Sequence, residues 1–446
     1  MLQVGTGREI ITPSRGIPLC GYFNPRPNTG VLDDLSVRTV LFKLDNQIGG
    51  LVVFDLCFLS ADIVNAIRAG LSRAGLDFGG NLIFSATHTH TGPYVDDFFG
   101  TQPDPGYLNA LMEKAVLSVR QAYSNLGPAA LSLGRVKNNP LAFNRRFWMK
   151  NGQVMTNPGK LNPDIVRPEG PVDNEIGVLA VEQGGRISAI LAHIVNHTDT
   201  VGGDLVSADW PGRMERAIQT SLGYDLPVLT LIGCSGNINH LDVSNADEYY
   251  GYAEACRIGR AYADIVCGLL AKRKKLPVSH IAVHSAEIAI PYRTIPDEHV
   301  KQAEAALARI GQAASDGDMT SEGLATQDGP VARFFAAQLI EYARKCSGRS
   351  RDFSLLSMHF DDQLAFVSLP GEPFTEIGLE LKKRSPARKT WPIALAMGEC
   401  GYIPMPECFQ RGGYETLPVV GGSPREDTAA RIVEEAVKLL HMGRSS

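Results

Sequence analysis

Apolar positions along the chain fall into two patterns. Short unbroken runs predict strands buried on both faces, and spacings of three and four residues predict helices packed against them. Residues 51–58 (LVVFDLCF) form one such run, and helical spacing follows over 62–71. Residues 81–86 form a second run that enters Thr87-His-Thr-His-Thr-Gly-Pro93 directly, and Leu108, Leu111, Met112, Ala115, Val116 and Val119 mark one face of a long helix. Residues 176–181 and 187–195 flank Gly184-Gly185 as the arms of a hairpin. Asp209, with Pro211 behind it, is expected to cap a helix running to about Leu222.

Further on, the run 227–232 predicts a strand opening into Gly233-Cys-Ser-Gly-Asn-Ile-Asn239, followed by a helix over 246–271 and an alternating strand over 281–290. Segment 295–350 reads differently. Two helical patterns surround a Gly/Ser/Asp-rich stretch at 314–329, which suits a helical insertion: a lid, a dimer contact or a small subdomain. A second hairpin is expected over 354–369, turning at Asp361-Asp362. Pro370-Gly-Glu372 then leads into a helix ending near Arg384, followed by a strand over 391–397 and a closing helix over 424–440. No internal repeat or linker stands out. Strands both alternate with helices and pair as hairpins, so the expected fold is α/β with mixed sheets flanked by helices, in one large domain spanning 1–446.

Composition narrows the function classes. Apolar residues make up 44% and charged residues 20% of the 446, the balance of a globular chain with a sizeable core. The net charge is −5 and the one basic run is Lys272-Arg-Lys-Lys275, so a nucleic acid is not an expected partner. The first residues lack a charged segment followed by an apolar one, so no signal peptide is expected. No apolar run approaches the roughly 20 residues that span a bilayer, so no integral membrane segment is expected. The eight cysteines are scattered and none forms a Cys-x-x-Cys pair, which reads as reduced thiols in a cytoplasmic protein. A homo-oligomer is left open.

The candidate chemistry falls repeatedly just after strands, where open α/β sheets place their sites. His88-Thr-His90 is read as sending its two imidazoles to opposite sides, so that one binds a metal ion and the other is left for proton transfer. In His193-Ile-Val-Asn-His197, the second histidine sits where the strand gives way to a loop, while the first lies inside the apolar run and reads as a core histidine. Gly233-Cys-Ser-Gly-Asn-Ile-Asn-His240 is either a tight strand-to-helix turn or a turn whose amides approach a substrate oxygen. Glu372 reads equally as an acid at a helix start or as an oxygen ligand, and Tyr402 by residue type reads as packing.

Taken in order from about Val4 to Leu440, the segments Glu9-Ile-Ile-Thr-Pro13, Cys20-Gly-Tyr22, Ser85-Ala-Thr-His-Thr-His-Thr-Gly-Pro93, Phe143-Asn-Arg145, Asn196-His197, Ser207-Ala-Asp209-Trp-Pro-Gly212, Gly236-Asn-Ile-Asn239, Pro370-Gly-Glu372 and Gly401-Tyr402 through Tyr414-Glu415 resemble the N-terminal catalytic domain of neutral (non-lysosomal) ceramidases and their small bacterial relatives. The resemblance implies a single zinc held by His88, His197, Glu372 and Tyr402. It implies an active-site histidine at His90, with Arg145 and Tyr414 lining the site. There are departures. Asn239 stands where the family's ceramide-cleaving members carry a serine, and no counterpart of the family's C-terminal β-sandwich domain is expected.

The expected activity is therefore hydrolysis of an amide bond by zinc-activated water, on a small-molecule or acyl-amide substrate other than ceramide. His90 moves the proton; Arg145, Tyr414 and the amides around Gly236 hold the oxyanion; Asn239 orients water or substrate. An ester or lactone is the alternative substrate. The rival readings are a non-catalytic zinc-binding protein, and a serine hydrolase using Ser235 with His90 or His240. Iron or manganese in place of zinc is also left open.

Overall fold

The computed structural model describes residues 1–247, 249–310 and 329–443. Three sheets carry the fold, and each is built in the same way. In the first, Gln3–Ile10 pairs with Ser36–Leu44, which turns back as a hairpin into Gln47–Phe54. The helix Ala61–Arg73 then returns the chain to Leu82–Ala86, parallel to Gln47–Phe54. In the second, Ala130–Lys137 precedes the hairpin Glu175–Gln183 and Arg186–Ile194. The helix Asp209–Leu222 leads to Val228–Ile232, parallel to Arg186–Ile194. In the third, Ile281–Pro291 precedes the hairpin Ser350–Phe360 and Leu364–Ser368, and the helix Thr375–Arg384 leads to Thr390–Ile393, again parallel.

This recurrence leaves no repeat in the sequence because only the apolar pattern of the strands has to recur. Its consequence is positional. A parallel pair brings the segments following both of its strands to one end of the sheet, so three sheets supply six such exits. The exit of the third sheet stitches the others together: Ala394 N–H donates to Ile232, Met397 N–H to Phe84, and Ala86 N–H to Leu395. The rings of His193 and Trp391 stack between the second and third sheets at 5.6 Å.

The mixed-sheet α/β architecture agrees with the sequence reading, with boundary differences. The first parallel strand ends at Phe54 and the chain bends over 55–57 instead of running on to 58. The helix expected from 246 begins at Tyr252. The strand expected over 391–397 stops at Ile393, since the following residues bond to two other sheets. Asp209 is the first residue of its helix and not the N-cap, which is Ala208, although its Oδ1 accepts from the Trp210 amide. It has φ 53° and turns its carboxylate back to the amides of Thr200 and Val201, each at 2.8 Å. Segment 295–350 contains the helices Asp297–Ile310 and Gly329–Lys345, while residues 314–328 lie outside the described ones. Among the described residues no helix is long and apolar enough to cross a membrane.

One buried histidine links the fold to pH. His359, in Ser350–Phe360, bonds Ser357 Oγ through Nε2 at 2.8 Å. Burial, and then the nearby His284, push its pKa down from 6.5 to about 4. The folded value lies below the unfolded one, so the neutral ring's contribution is complete above pH 6.5 and is lost as pH falls toward 4. The thermal midpoint should therefore drop over that window, and His359→Gln should flatten the drop. Identical pH slopes for the two proteins, followed by scanning calorimetry, would contradict this.

Candidate metal centre

Each sheet delivers residues to the same place through its parallel exits. The first sends Cys57 and the segment Thr87–His90, the second sends His197 and the turn 233–239, and the third sends Glu372 and Tyr402. His88 leaves its strand with φ 69°, a left-handed conformation that non-glycine residues adopt rarely. Its amide is held by Leu56 and its Nδ1 donates to the Cys57 carbonyl at 2.7 Å. A carbonyl can only accept, so the proton sits on Nδ1 and the lone pair of Nε2 faces the site. Trp210 Nε1–H donates to the His197 carbonyl at 2.9 Å, and Asp209 anchors the loop behind it. Glu372 pairs in parallel register with Tyr402, which sets these two side by side.

The donor atoms converge. His88 Nε2 lies 3.1 Å from His197 Nε2 and 3.3 Å from a Glu372 oxygen, which is 4.0 Å from His197 Nε2. Ligands around a tetrahedral zinc stand about 3.3 Å apart. That Glu372 oxygen is buried and has no hydrogen-bond partner. Two buried imidazoles and a half-buried carboxylate, their donor atoms within 4.8 Å of one another, are a donor set that fits zinc. A second group, Cys57 with His88 and His90, also has its atoms within 4.8 Å. The bond from His88 Nδ1 to the Cys57 carbonyl favours the first set.

Electrostatics follow the same grouping. Burial works against a charged His88, yet the adjacent Glu372 holds its pKa well above the usual imidazole value. Burial, and then the charge on His88, push His197 and His90 well below it. Burial opposes ionisation of Glu372, but His88 outweighs it and lowers its pKa. Both shifts favour an imidazolium at His88 beside a Glu372 carboxylate, and a divalent ion would supply that positive charge instead.

His90 does not diverge from His88 as the sequence reading expected. Its Nε2 is 3.3 Å from His88 Nε2 and the rings meet edge to face at 4.8 Å. The reason is that alternate residues of an extended segment share a face, rather than opposing each other. His90 Nδ1 lies 3.4 Å from Asp199, whose other contact is the Tyr22 hydroxyl at 2.7 Å.

The remaining expected residues surround the same cavity. Arg145 is buried, with Nε 3.1 Å from Glu415 and its guanidinium 5.2 Å from both the Tyr402 and Tyr414 rings. The two tyrosine hydroxyls are 3.5 Å apart. Asn239 donates to Asn157 at 2.8 Å and accepts from the Leu241 amide, which leaves one amide hydrogen and one lone pair for the cavity.

One other expectation is corrected, and two alternatives lose their geometric basis. The Gly236 amide donates to the Pro373 carbonyl and so does not face a substrate oxygen. A Cβ there would stand 2.3 Å from the Glu372 carbonyl, so this glycine lets the Glu372 segment pack against the turn. Glu372 itself precedes the helix Thr375–Arg384 and does not serve its first turn. Ser235 does not line the cavity, and His240 Nε2 donates to the Tyr249 carbonyl, so the serine pairing has no geometric basis. His193 is a core histidine, bonded to the Pro392 carbonyl.

No protein-family model matches the sequence, and no match was found among curated proteins. Solved structures do match. The neutral ceramidase from Pseudomonas aeruginosa superposes with a TM-score of 0.70 over 98% of this chain and 74% of that one, at 17% identity. The chain has the neutral-ceramidase fold. A ceramidase complexed with C2 gives a TM-score of 0.71 over the same shares, at 15% identity. Along this neutral-ceramidase fold, sequence reasoning missed Asp199, Glu399 and Glu415, which also line the cavity. Asp199 and Glu415 had a signal in lying beside residues already singled out; Glu399 had none beyond its place in a Gly-Glu-Cys-Gly turn.

Proposed function

We propose that the protein is a zinc-dependent hydrolase that cleaves an amide bond, with His88, His197, Glu372 and Tyr402 holding the ion. The observation that carries this reading is the convergence of two imidazole nitrogens on a buried carboxylate oxygen that has no other partner. When bound, zinc supplies a Lewis acid that polarises a carbonyl and lowers the pKa of water toward neutrality. His90, buried and kept neutral, accepts a proton on Nε2 and returns it to the departing nitrogen, with Asp199 3.4 Å from its Nδ1. Arg145 and Tyr414 hold the carbonyl oxygen as it gains charge, and Glu415 fixes Arg145 from behind. Asn239 orients water or substrate with its free amide hydrogen. An amide is preferred to an ester because the solved structures of this fold are ceramidases. A cavity of about 180 Å³ supports a substrate smaller than ceramide. Eight free thiols support a cytoplasmic setting.

Chelation with dipicolinate should abolish hydrolysis, and stoichiometric zinc should restore it. Activity that persists after full metal removal would overturn the proposal. A second test isolates His90. Gly21 has φ 103°, and a Cβ there would lie 2.6 Å from the Cβ and Cγ of His90. Gly21→Ala should therefore displace the ring and lower kcat about a hundredfold or more, the usual weight of a general acid–base group, while zinc content stays at the wild-type level. Unchanged kcat with a displaced ring would remove His90 from the mechanism.

A further inference from the structure

One end of the cavity is a wall of phenylalanines assembled from four separate parts of the chain. Phe23 stacks on Phe99 at 5.7 Å, and Phe98 lies 3.9 Å from Phe99 and 5.2 Å from Phe58. The helix Gly329–Lys345 closes this wall: Phe334 meets Phe23 at 4.6 Å and Phe99 at 5.0 Å, and Phe335 meets Phe23 at 5.8 Å and faces the cavity. Apart from the closer Phe98–Phe99 pair, these separations and mostly tilted or edge-on angles are the arrangement in which rings attract one another and an added ring.

We propose that this wall is the acyl-binding subsite, selective for a compact aromatic acyl group of about phenylacetyl size, and that Phe335 is a specificity-determining residue. The proposal rests on the hydrolase reading above. Size sets an upper limit: the whole cavity, catalytic residues included, is about 180 Å³, little more than the roughly 150 Å³ of an apolar cavity that takes up benzene, so the acyl group at the wall must be compact. Charge assigns the side. Asp199 and Glu399 line the same cavity, and neither makes a salt bridge to a lysine or arginine among the described residues. Carboxyl oxygens suit the N–H groups of the amine side as acceptors, and the aromatic wall is left for the acyl group. Hydrolysis then releases an aryl-substituted carboxylic acid and an amine, with one water consumed.

The test is calorimetric titration of zinc-loaded protein with phenylacetate and with octanoate, acids of equal carbon count and different shape. The nitroanilides of both acids are assayed in parallel. Phenylacetate should bind at least about tenfold more tightly, although octanoate is the more apolar. Phe335→Ala should erase that preference, and Phe335→Leu, which keeps volume and loses the ring, should reduce it. A thermal midpoint near wild type shows that the helix is in place. Selective binding without cleavage of either nitroanilide would retain the subsite and remove the hydrolase reading. Equal or tighter binding of octanoate by the wild type, or an unchanged preference in a folded Phe335→Leu variant, would overturn the subsite.

Discussion

Replacing His88 by Ala should remove zinc and reduce amide hydrolysis to background. His88 is the hub of the centre: its Nε2 lies within 3.3 Å of His197, His90 and Glu372. Its orientation is fixed by its own φ of 69°, by the Leu56 carbonyl and by the Cys57 carbonyl. Loss of a metal that stabilises the transition state by several kcal/mol corresponds to a fall in rate upward of about a thousandfold. The measurement is zinc content by elemental mass spectrometry together with steady-state kinetics. A variant that keeps zinc and more than a tenth of wild-type turnover would show that His88 does not bind the metal.

The second large effect concerns stability and lies beneath the site. Arg38 is 3% exposed and holds two buried carboxylates, with Nη1 2.8 Å from Asp55 and Nε 3.0 Å from Glu215. Asp55 follows a strand of the first sheet and also accepts from Thr87, next to His88. Glu215 lies in the helix of the second sheet and accepts from the Val228 amide. Arg38→Ala leaves Asp55 buried without its cation and Glu215 with only the part-exposed Arg8, 3.9 Å away, a loss of about 3–5 kcal/mol. Denaturant titration should show that loss as a lower midpoint, and residual zinc affinity should fall through Thr87. Arg38→Ala with wild-type stability would mean that water neutralises the pair, against the burial seen here.

Much of this was legible in the chain, for reasons that differ by level. The strands 81–86, 187–195 and 227–232 were readable because burial on both faces forces unbroken apolar runs. Each run stopped where a polar segment began, so the exits carrying His88 and His197 could be located. What the sequence hid was three-dimensional. The threefold recurrence of hairpin, helix and parallel strand is invisible because many different apolar sequences satisfy one strand. The direction of His90 was misread because it depends on the face shared by alternate residues and on the left-handed turn at His88. Gly236 was taken as an oxyanion donor, whereas its role is close packing against the Glu372 carbonyl from a different sheet. Phe23, Phe99 and Phe335 had no local pattern, since they meet only through tertiary packing.

The central claim is a single zinc held by His88, His197, Glu372 and Tyr402 and required for hydrolysis. Elemental mass spectrometry of purified wild type and Glu372→Gln, loaded with equal zinc and freed of excess, tests it most directly. About one zinc per wild-type chain, with the variant's content and its hydrolysis of acyl amides falling together, is the predicted result. Equal zinc in both proteins, or full hydrolysis by a metal-free wild type, would contradict it.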